Sequence, residues 1–340
     1  TSYCLIQAGG ECDPDAEDAY CEPRAACFPD GDTGICLMTA GGSCGDDDSL
    51  CGPDLVCEPR AGEEDAYVCG AATVIQGRVL DATNEQGIGG ARVIALDGQQ
   101  TPVTDVAISD PDGSYVLRVP VPRDGDGKPA GAAYTLRASA ADYQTFPGGL
   151  RSAIPIDVAT AEAEGGGYVI SGTLTDILLI PLQTGERGRP HVAGHVEAGD
   201  DSGGVLVVLE GGARGYSALS DQSGGYVVFN VPAGSYTVRG YRAGLQLDPV
   251  SITVQTDNLE DVDLSPSSRP LSTVSGNLQI VNAFGGAATS VVLVVESTFS
   301  PTFVRGEVPP GLRTPRVGEP DVTGGWSIAE VPDGRYVVLA

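Results

Sequence analysis

The sequence predicts an all-β fold: a row of β-sandwich domains behind a disulfide-rich, loop-rich N-terminal region. Three observations carry this. All nine cysteines lie between residues 4 and 69. From Thr73 onward, short apolar runs alternate with Gly, Asp and Pro turns, and helical periodicity is absent. One strand-turn-strand motif recurs three times along that stretch.

The cysteine region has few large apolar residues. Too small to bury a sufficient core, it needs covalent bridges instead, which implies an oxidising compartment. It is also an internal repeat. Cys4-Leu-Ile-Gln-Ala-Gly-Gly-Glu-Cys12 matches Cys36-Leu-Met-Thr-Ala-Gly-Gly-Ser-Cys44, and Cys21-Glu-Pro-Arg-Ala-Ala-Cys27 matches Cys51-Gly-Pro-Asp-Leu-Val-Cys57. Glu58-Pro59-Arg60 echoes Glu22-Pro23-Arg24. Nine is odd, so one thiol lacks a partner within the chain. Units Cys12/Cys21/Cys27/Cys36 and Cys44/Cys51/Cys57/Cys69 leave Cys4 over and are the preferred framing. Units that begin at Cys4 and Cys36 leave Cys69 over. Connectivity within four cysteines has three solutions, and sequence does not choose among them.

The strands after Thr73 repeat in order. An opening strand surrounds a glycine: Val74-Ile-Gln-Gly77-Arg-Val79, Val192-Ala-Gly194-His-Val196 and Val274-Ser-Gly276-Asn-Leu278. An apolar strand follows, as in Val205-Leu-Val-Val-Leu209. A tight turn then feeds an aromatic strand: Asp110-Pro-Asp-Gly113-Ser-Tyr115, Asp221-Gln-Ser-Gly224-Gly-Tyr226 and Asp321-Val-Thr-Gly324-Gly-Trp326. Asp and Ser close such turns with their side chains, and Gly tolerates positive φ. A second turn, Val231-Pro-Ala-Gly234-Ser-Tyr236, matches Val331-Pro-Asp-Gly334-Arg-Tyr336. Tyr236 and Tyr336 are expected to be buried tyrosine corners, each hydroxyl bonded to backbone. The first repeat inserts Arg123–Ala130 before Tyr134, which puts its corner in doubt.

These motifs resemble the carboxypeptidase regulatory-like family of transthyretin-like and Ig-like β-sandwiches, including bacterial Cna-B-like stalk domains, over roughly residues 73–340. The resemblance implies stalks, spacers or accessory modules without catalytic residues. Cna-B-like members can hold a Lys–Asn cross-link; with Lys128 as the sole lysine, and in a loop, none is expected here. The expected domains are 1–70 (units 5–36 and 37–70), 73–184, 190–266 and 271–340. Short polar linkers rich in Pro, Gly and Ser join the sandwiches. The third sandwich is expected to lack its C-terminal closing strands. That would leave open edges, filled either by a longer polypeptide or by strand addition from a copy of the chain, with Cys4 as a possible interchain link.

The net charge is −27, and residues 1–70 alone carry 16 acidic groups against Arg24 and Arg60. Such a field repels phosphate backbones and excludes nucleic acid as a partner. No apolar run is long enough for a membrane span. The start without an initiator methionine fits an export signal already removed. A single lysine, Lys128, and the absence of any Asn-x-Ser/Thr sequon point to a bacterium. Zinc is disfavoured because no Cys-x2-Cys pair exists and His191 and His195 lie far away. No cofactor is expected. Weak calcium candidates are Asp13, Asp15, Asp18, Asp124 and Asp126, whose alternating oxygens complete no known loop. His191 and His195 share a strand face, where they are surface or structural groups. No nucleophile elbow, phosphate loop or dinucleotide fingerprint appears.

No catalytic residue is therefore named. The expected function is a secreted structural or adhesive component of a bacterial surface, such as a fibre or stalk subunit, with protein partners or self-assembly. The alternative is a ligand-binding or accessory module of a larger complex whose catalysis lies elsewhere. Clustered exposed aromatics would favour that alternative.

Overall fold

Residues of period two with glycine turns form sheet here almost throughout. The computed structural model describes residues 5–14, 21–31, 33–98, 102–148, 151–211, 215–281, 288–299 and 313–340, with backbone alone for 313–321. Among these, the helical elements are 3-10 turns of three residues each. None is long and apolar enough to cross a membrane. By compactness the chain falls into two units. One comprises Thr1–Arg78, Ser114–Thr135 and Ile154–Ile177; the other comprises Val79–Gly113, Leu136–Ala153 and Leu178–Ala340. The division passes through the first sandwich and leaves the cysteine region in the same unit as several of its strands.

In the first unit, two hairpins build the cysteine region: Ala25–Asp30 with Thr33–Met38, and Leu55–Pro59 with Tyr67–Ala71. Its small core is largely sulfur, with Met38, Cys44, Cys51 and Cys69 buried against Leu50 and Leu55. The opening strand Thr73–Asp81 follows almost directly. It pairs antiparallel with the aromatic strand Ser114–Val119 and parallel with Gly167–Ile170.

The second unit holds the next two sandwiches. In the second sandwich, a four-stranded sheet runs Tyr216–Leu219, Leu206–Glu210, Gly234–Tyr241, Val250–Val254. The opening strand Val192–His195 pairs with the aromatic strand Gly225–Val228. Inward residues from both sheets, among them Val192, Val207, Leu209, Tyr226, Val238 and Leu264, form the core. In the third sandwich, Thr289–Val295 lies between Arg313–Val322 and Tyr336–Leu339. The opening strand Ser272–Asn277 pairs with Gly325–Val331, and the smaller core holds Val291, Leu293, Val322, Ile328 and Val331.

The three repeats share one register. Gly77 faces Tyr115, Gly194 faces Tyr226, and Gly276 faces Trp326. The turn glycines Gly113 and Gly224 sit at φ +86° and +91°, a conformation that costs an L side chain dearly.

Candidate functional site

Four disulfides staple the cysteine region: Cys12–Cys27, Cys21–Cys36, Cys44–Cys57 and Cys51–Cys69. Both units join first to third and second to fourth cysteine. Across each hairpin two cysteines face one another, Cys27 opposite Cys36 and Cys57 opposite Cys69. Each of these bonds instead to a cysteine earlier in the chain, so the bridges tie the hairpin to its preceding loop. Cys69 is thus paired, and Cys4 lies outside the described residues. On a chain-entropy account, loops of 13 to 18 residues are worth about 3 kcal/mol per bridge.

The insertion at residues 123–130 docks on this stapled region. The Arg123 N–H donates to the Pro59 carbonyl at 2.8 Å, and the Ala61 N–H donates to the Arg123 carbonyl at 2.7 Å. The Arg123 side chain is fully buried. Its Nε donates to the Glu58 carboxylate at 2.6 Å, Nη1 reaches the Gly127 carbonyl at 3.2 Å, and the guanidinium lies over the Tyr168 ring. A side chain at Gly70 would strike that guanidinium. Burial raises the Glu58 pKa even though Arg123 opposes the shift. At the rim, Arg24 Nη1 donates to the carbonyls of Gly41 and Gly125 at 2.8 and 2.7 Å. The Asp124 carboxylate accepts from the N–H groups of Lys128 and Asp126 at 2.9 Å, and those bonds hold its pKa low.

The insertion does not cost the first sandwich its corner. The Tyr134 hydroxyl donates to the Pro120 carbonyl at 2.6 Å. Tyr236 and Tyr336 donate to Pro232 and Pro332, both at 2.9 Å. The three prolines hold the same place after the aromatic strand, so the bond survives a loop of very different length. Tyr236 is buried, whereas Tyr336 is only half-buried. The reason is local: Val250–Val254 runs beside Tyr236, with Ile252 opposite it, and no described strand lies outside Tyr336–Leu339.

A second tyrosine clasp secures the closing strands. The Tyr115 hydroxyl donates to the Thr175 carbonyl at 2.6 Å, and Tyr226 donates to Val262. The next residue, Asp176 or Asp263, accepts from the N–H after the opening glycine, that of Arg78 at 2.9 Å or His195 at 2.8 Å. A Cβ on Gly77 or Gly194 would overlap the passing Thr175 or Val262 carbonyl. The glycine is therefore required by close approach of backbone.

The linkers are tied down at both ends. Between the first and second sandwiches, the Asn230 amide donates to the carbonyls of Ala140 and Tyr143 and accepts from the Asp142 N–H at 2.7 Å. Gly188 in the linker donates to the Asp142 carboxylate at 2.6 Å. Between the second and third, Arg269 bonds Asp333 at 2.8 Å and the Leu247 carbonyl at 3.1 Å, while the Asp333 N–H donates to Gln246 at 2.8 Å. Tyr241 and Tyr336 meet edge to face beside Leu206, Val208 and Val295.

His191 approaches Glu260 at 2.6 Å, and His195 is exposed. Of the calcium candidates, Asp124 is occupied in capping its loop, Asp126 lies at the exposed rim 4.0 Å from Arg24, Asp13 is exposed in the cysteine region, and Asp15 and Asp18 lie outside the described residues. The groups of metal-type ligands among the described residues are cysteines already in disulfides.

No protein-family description matches the chain, and no curated protein does. Solved structures that align with it include the shaft pilin spaA from Lactobacillus rhamnosus GG, at 12% identity and TM-score 0.21, covering 58% of this chain and 98% of that one. A streptococcal ancillary pilin aligns at 11% identity and TM-score 0.24, over 71% of this chain and 80% of that one. The 3-chlorocatechol 1,2-dioxygenase from Rhodococcus opacus 1CP aligns at 13% identity and TM-score 0.22, over 37% and 64%. Scores this low carry no functional weight.

Proposed function

We propose that this chain is a non-enzymatic structural subunit of a bacterial surface, a secreted fibre or stalk component whose domains are the cysteine region, residues 1–70, and sandwiches at 73–184, 190–266 and 271–340. The observation that carries the reading is the treatment of the junctions. Three joints are tied by specific bonds: Arg123 to the Glu58 carboxylate and the Pro59 carbonyl at the first, Asn230 to the Ala140 and Tyr143 carbonyls at the second, Arg269 to Asp333 and the Leu247 carbonyl at the third. Side chains committed to holding modules still suit a part that transmits load. Disulfides suit an oxidising exterior. The sandwiches take the carboxypeptidase regulatory-like, Cna-B-like form, a spacer form.

Against a ligand-binding module stands the exposed surface. Among the described residues, the large exposed hydrophobic side chains, from Leu5 and Ile108 to Leu174, Leu178, Ile180 and Val281, are aliphatic, with no aromatic among them. Electron microscopy of native surface material, with antibody raised against this chain, tests the reading. Labelled filaments or stalks are expected. Label confined to soluble, monomeric protein would sink it.

A further inference from the structure

One sheet of the first sandwich carries two arginines on its outer face, on neighbouring strands. Ala133–Ser139 lies beside Arg92–Leu96. Side chains alternate along a strand. Tyr134, Leu136 and Ala138 therefore share the core face, where Tyr134 reaches Pro120, and Arg137 takes the other. Arg92 stands opposite Ile108, which is 62% exposed, so it shares that outer face. The face is covered all the same: Ile94 and Leu96, on the same side as Arg92, are buried. The second sandwich comes up to it. Gln222 Nε2 donates to the Val103 carbonyl at 2.8 Å, and Arg92 pairs with Asp221 at 3.6 Å.

The two arginines fare differently. Arg92 has a shared partner, because Asp221 already accepts from the Gly225 N–H at 2.9 Å and the Ser223 hydroxyl at 2.7 Å. Arg137 is 9% exposed and makes no hydrogen bond or ion pair among the described residues. Burial pushes its pKa down to about 10, with no described carboxylate opposing the shift. A guanidinium withdrawn from water without an acceptor is costly. Yet in a chain of net charge −27, an acidic partner is the commonest thing to supply. The partnerless nitrogens sealed from solvent belong to Arg123 and Arg151, not to Arg137. Its fork still meets solvent through a small opening.

We propose that Arg137 is the floor of a binding crevice for one small, singly charged carboxylate. The planar fork offers two parallel N–H donors at the spacing of two carboxylate oxygens. An opening that leaves Arg137 9% exposed admits a ligand of few atoms and keeps out the surface of a folded partner. A single charge is favoured because the field of the chain opposes each further negative charge. Arg92, on the next strand, adds a second positive charge to the face. The site stands independently of the fibre reading, since it rests on the outer face of one sheet.

The probe is acetate, titrated into the full chain in exchange for chloride at constant ionic strength. The readout is the magnetic resonance spectrum of the arginine Nε–H groups, in which the signal missing from Arg137→Lys identifies Arg137. A saturable shift of that signal at one acetate per chain is expected. The unfolding midpoint should rise by about 5 °C at a hundredfold excess over the Kd, and should not move with acetate in Arg137→Met. Without acetate, Arg137→Met should be at least as stable as the parent, because it removes an unpaired buried charge. Arg137→Lys keeps the charge and loses the fork, so by the midpoint it should bind at least about tenfold more weakly. Four results would overturn the proposal: no saturable shift in the parent, equal affinity in Arg137→Lys, sulfate binding more tightly than acetate, or Arg137→Met losing stability in acetate-free buffer. The last would mean that the guanidinium already has its acceptor within the fold.

Discussion

The second and third sandwiches share a motif, a register and a corner, yet the opening strand of one is flanked on both edges and that of the other, among the described residues, on one. Gly194 and Gly276 hold the same place opposite an aromatic residue. Behind Gly194 passes the backbone of Val262; at Gly276 the three atoms nearest to where a Cβ would stand belong to the Trp326 ring. The lesson is that the repeat motif builds the sheets, while burial of the opening strand depends on a segment well outside the motif.

The comparison breaks most sharply at the glycines. Gly194→Ala should destabilise the second sandwich by about 3 kcal/mol, because an added methyl overlaps a carbonyl fixed by hydrogen bonds. Gly276→Ala should cost about 1 kcal/mol or less, since a half-exposed indole can tilt away. Denaturant unfolding of the two variants measures the difference. Equal costs would mean that Gly276, like Gly194, has rigid backbone pressed against it.

A smaller effect separates the aromatic residues. Tyr226 is buried, and burial raises its pKa above the ordinary 10.0. Its folded pKa exceeds the unfolded one, so the stability it contributes is complete below pH 10 and is lost as the pH rises beyond that. Trp326 has no such proton to lose. Tyr226→Phe should cost about 1–3 kcal/mol near neutrality, because it orphans the Val262 carbonyl. Above pH 10 the variant's stability should fall less steeply than the parent's. Parallel curves against pH would show that Tyr226 is not the responsible group.

The smallest effect lies at the corners. Tyr236→Phe and Tyr336→Phe should each cost about 0.5–1.5 kcal/mol, with Tyr336→Phe the larger, because the Pro332 carbonyl belongs to a buried residue and Pro232 is only half-buried. Thermal melts of the two variants side by side would check the order. A larger loss at Tyr236 would show that burial of the proline does not set the cost.

Much of the candidate machinery was legible in part. The repeated Glu-Pro-Arg stood out as a repeat, but nothing in it announced that Glu58 would meet Arg123 across 65 residues, or Arg24 the Gly125 carbonyl across 101. Residues 123–130 read as an interruption of a tyrosine corner. They are the anchor of the cysteine region, and Tyr134 still reaches Pro120 around them. Asn230 and Arg269 carried no signal, because a single polar residue in a turn or linker looks alike whether or not a neighbouring sandwich comes within reach.

What the sequence by itself determined is local. Period-two runs make strands; Gly113 and Gly224 make turns that only positive φ permits; proline and tyrosine at fixed spacing make a corner; cysteines confined to one stretch make a stapled region. These follow from forces acting over a few residues. The tertiary structure decided which cysteine bonds which, which glycine has a backbone pressed against it, which acid meets Arg123, and which opening strand is buried. Each of those depends on where a distant segment of chain passes, and a backbone carbonyl arriving from 68 residues away, as Val262 does at Gly194, leaves no mark on the local pattern beyond the glycine that makes room for it.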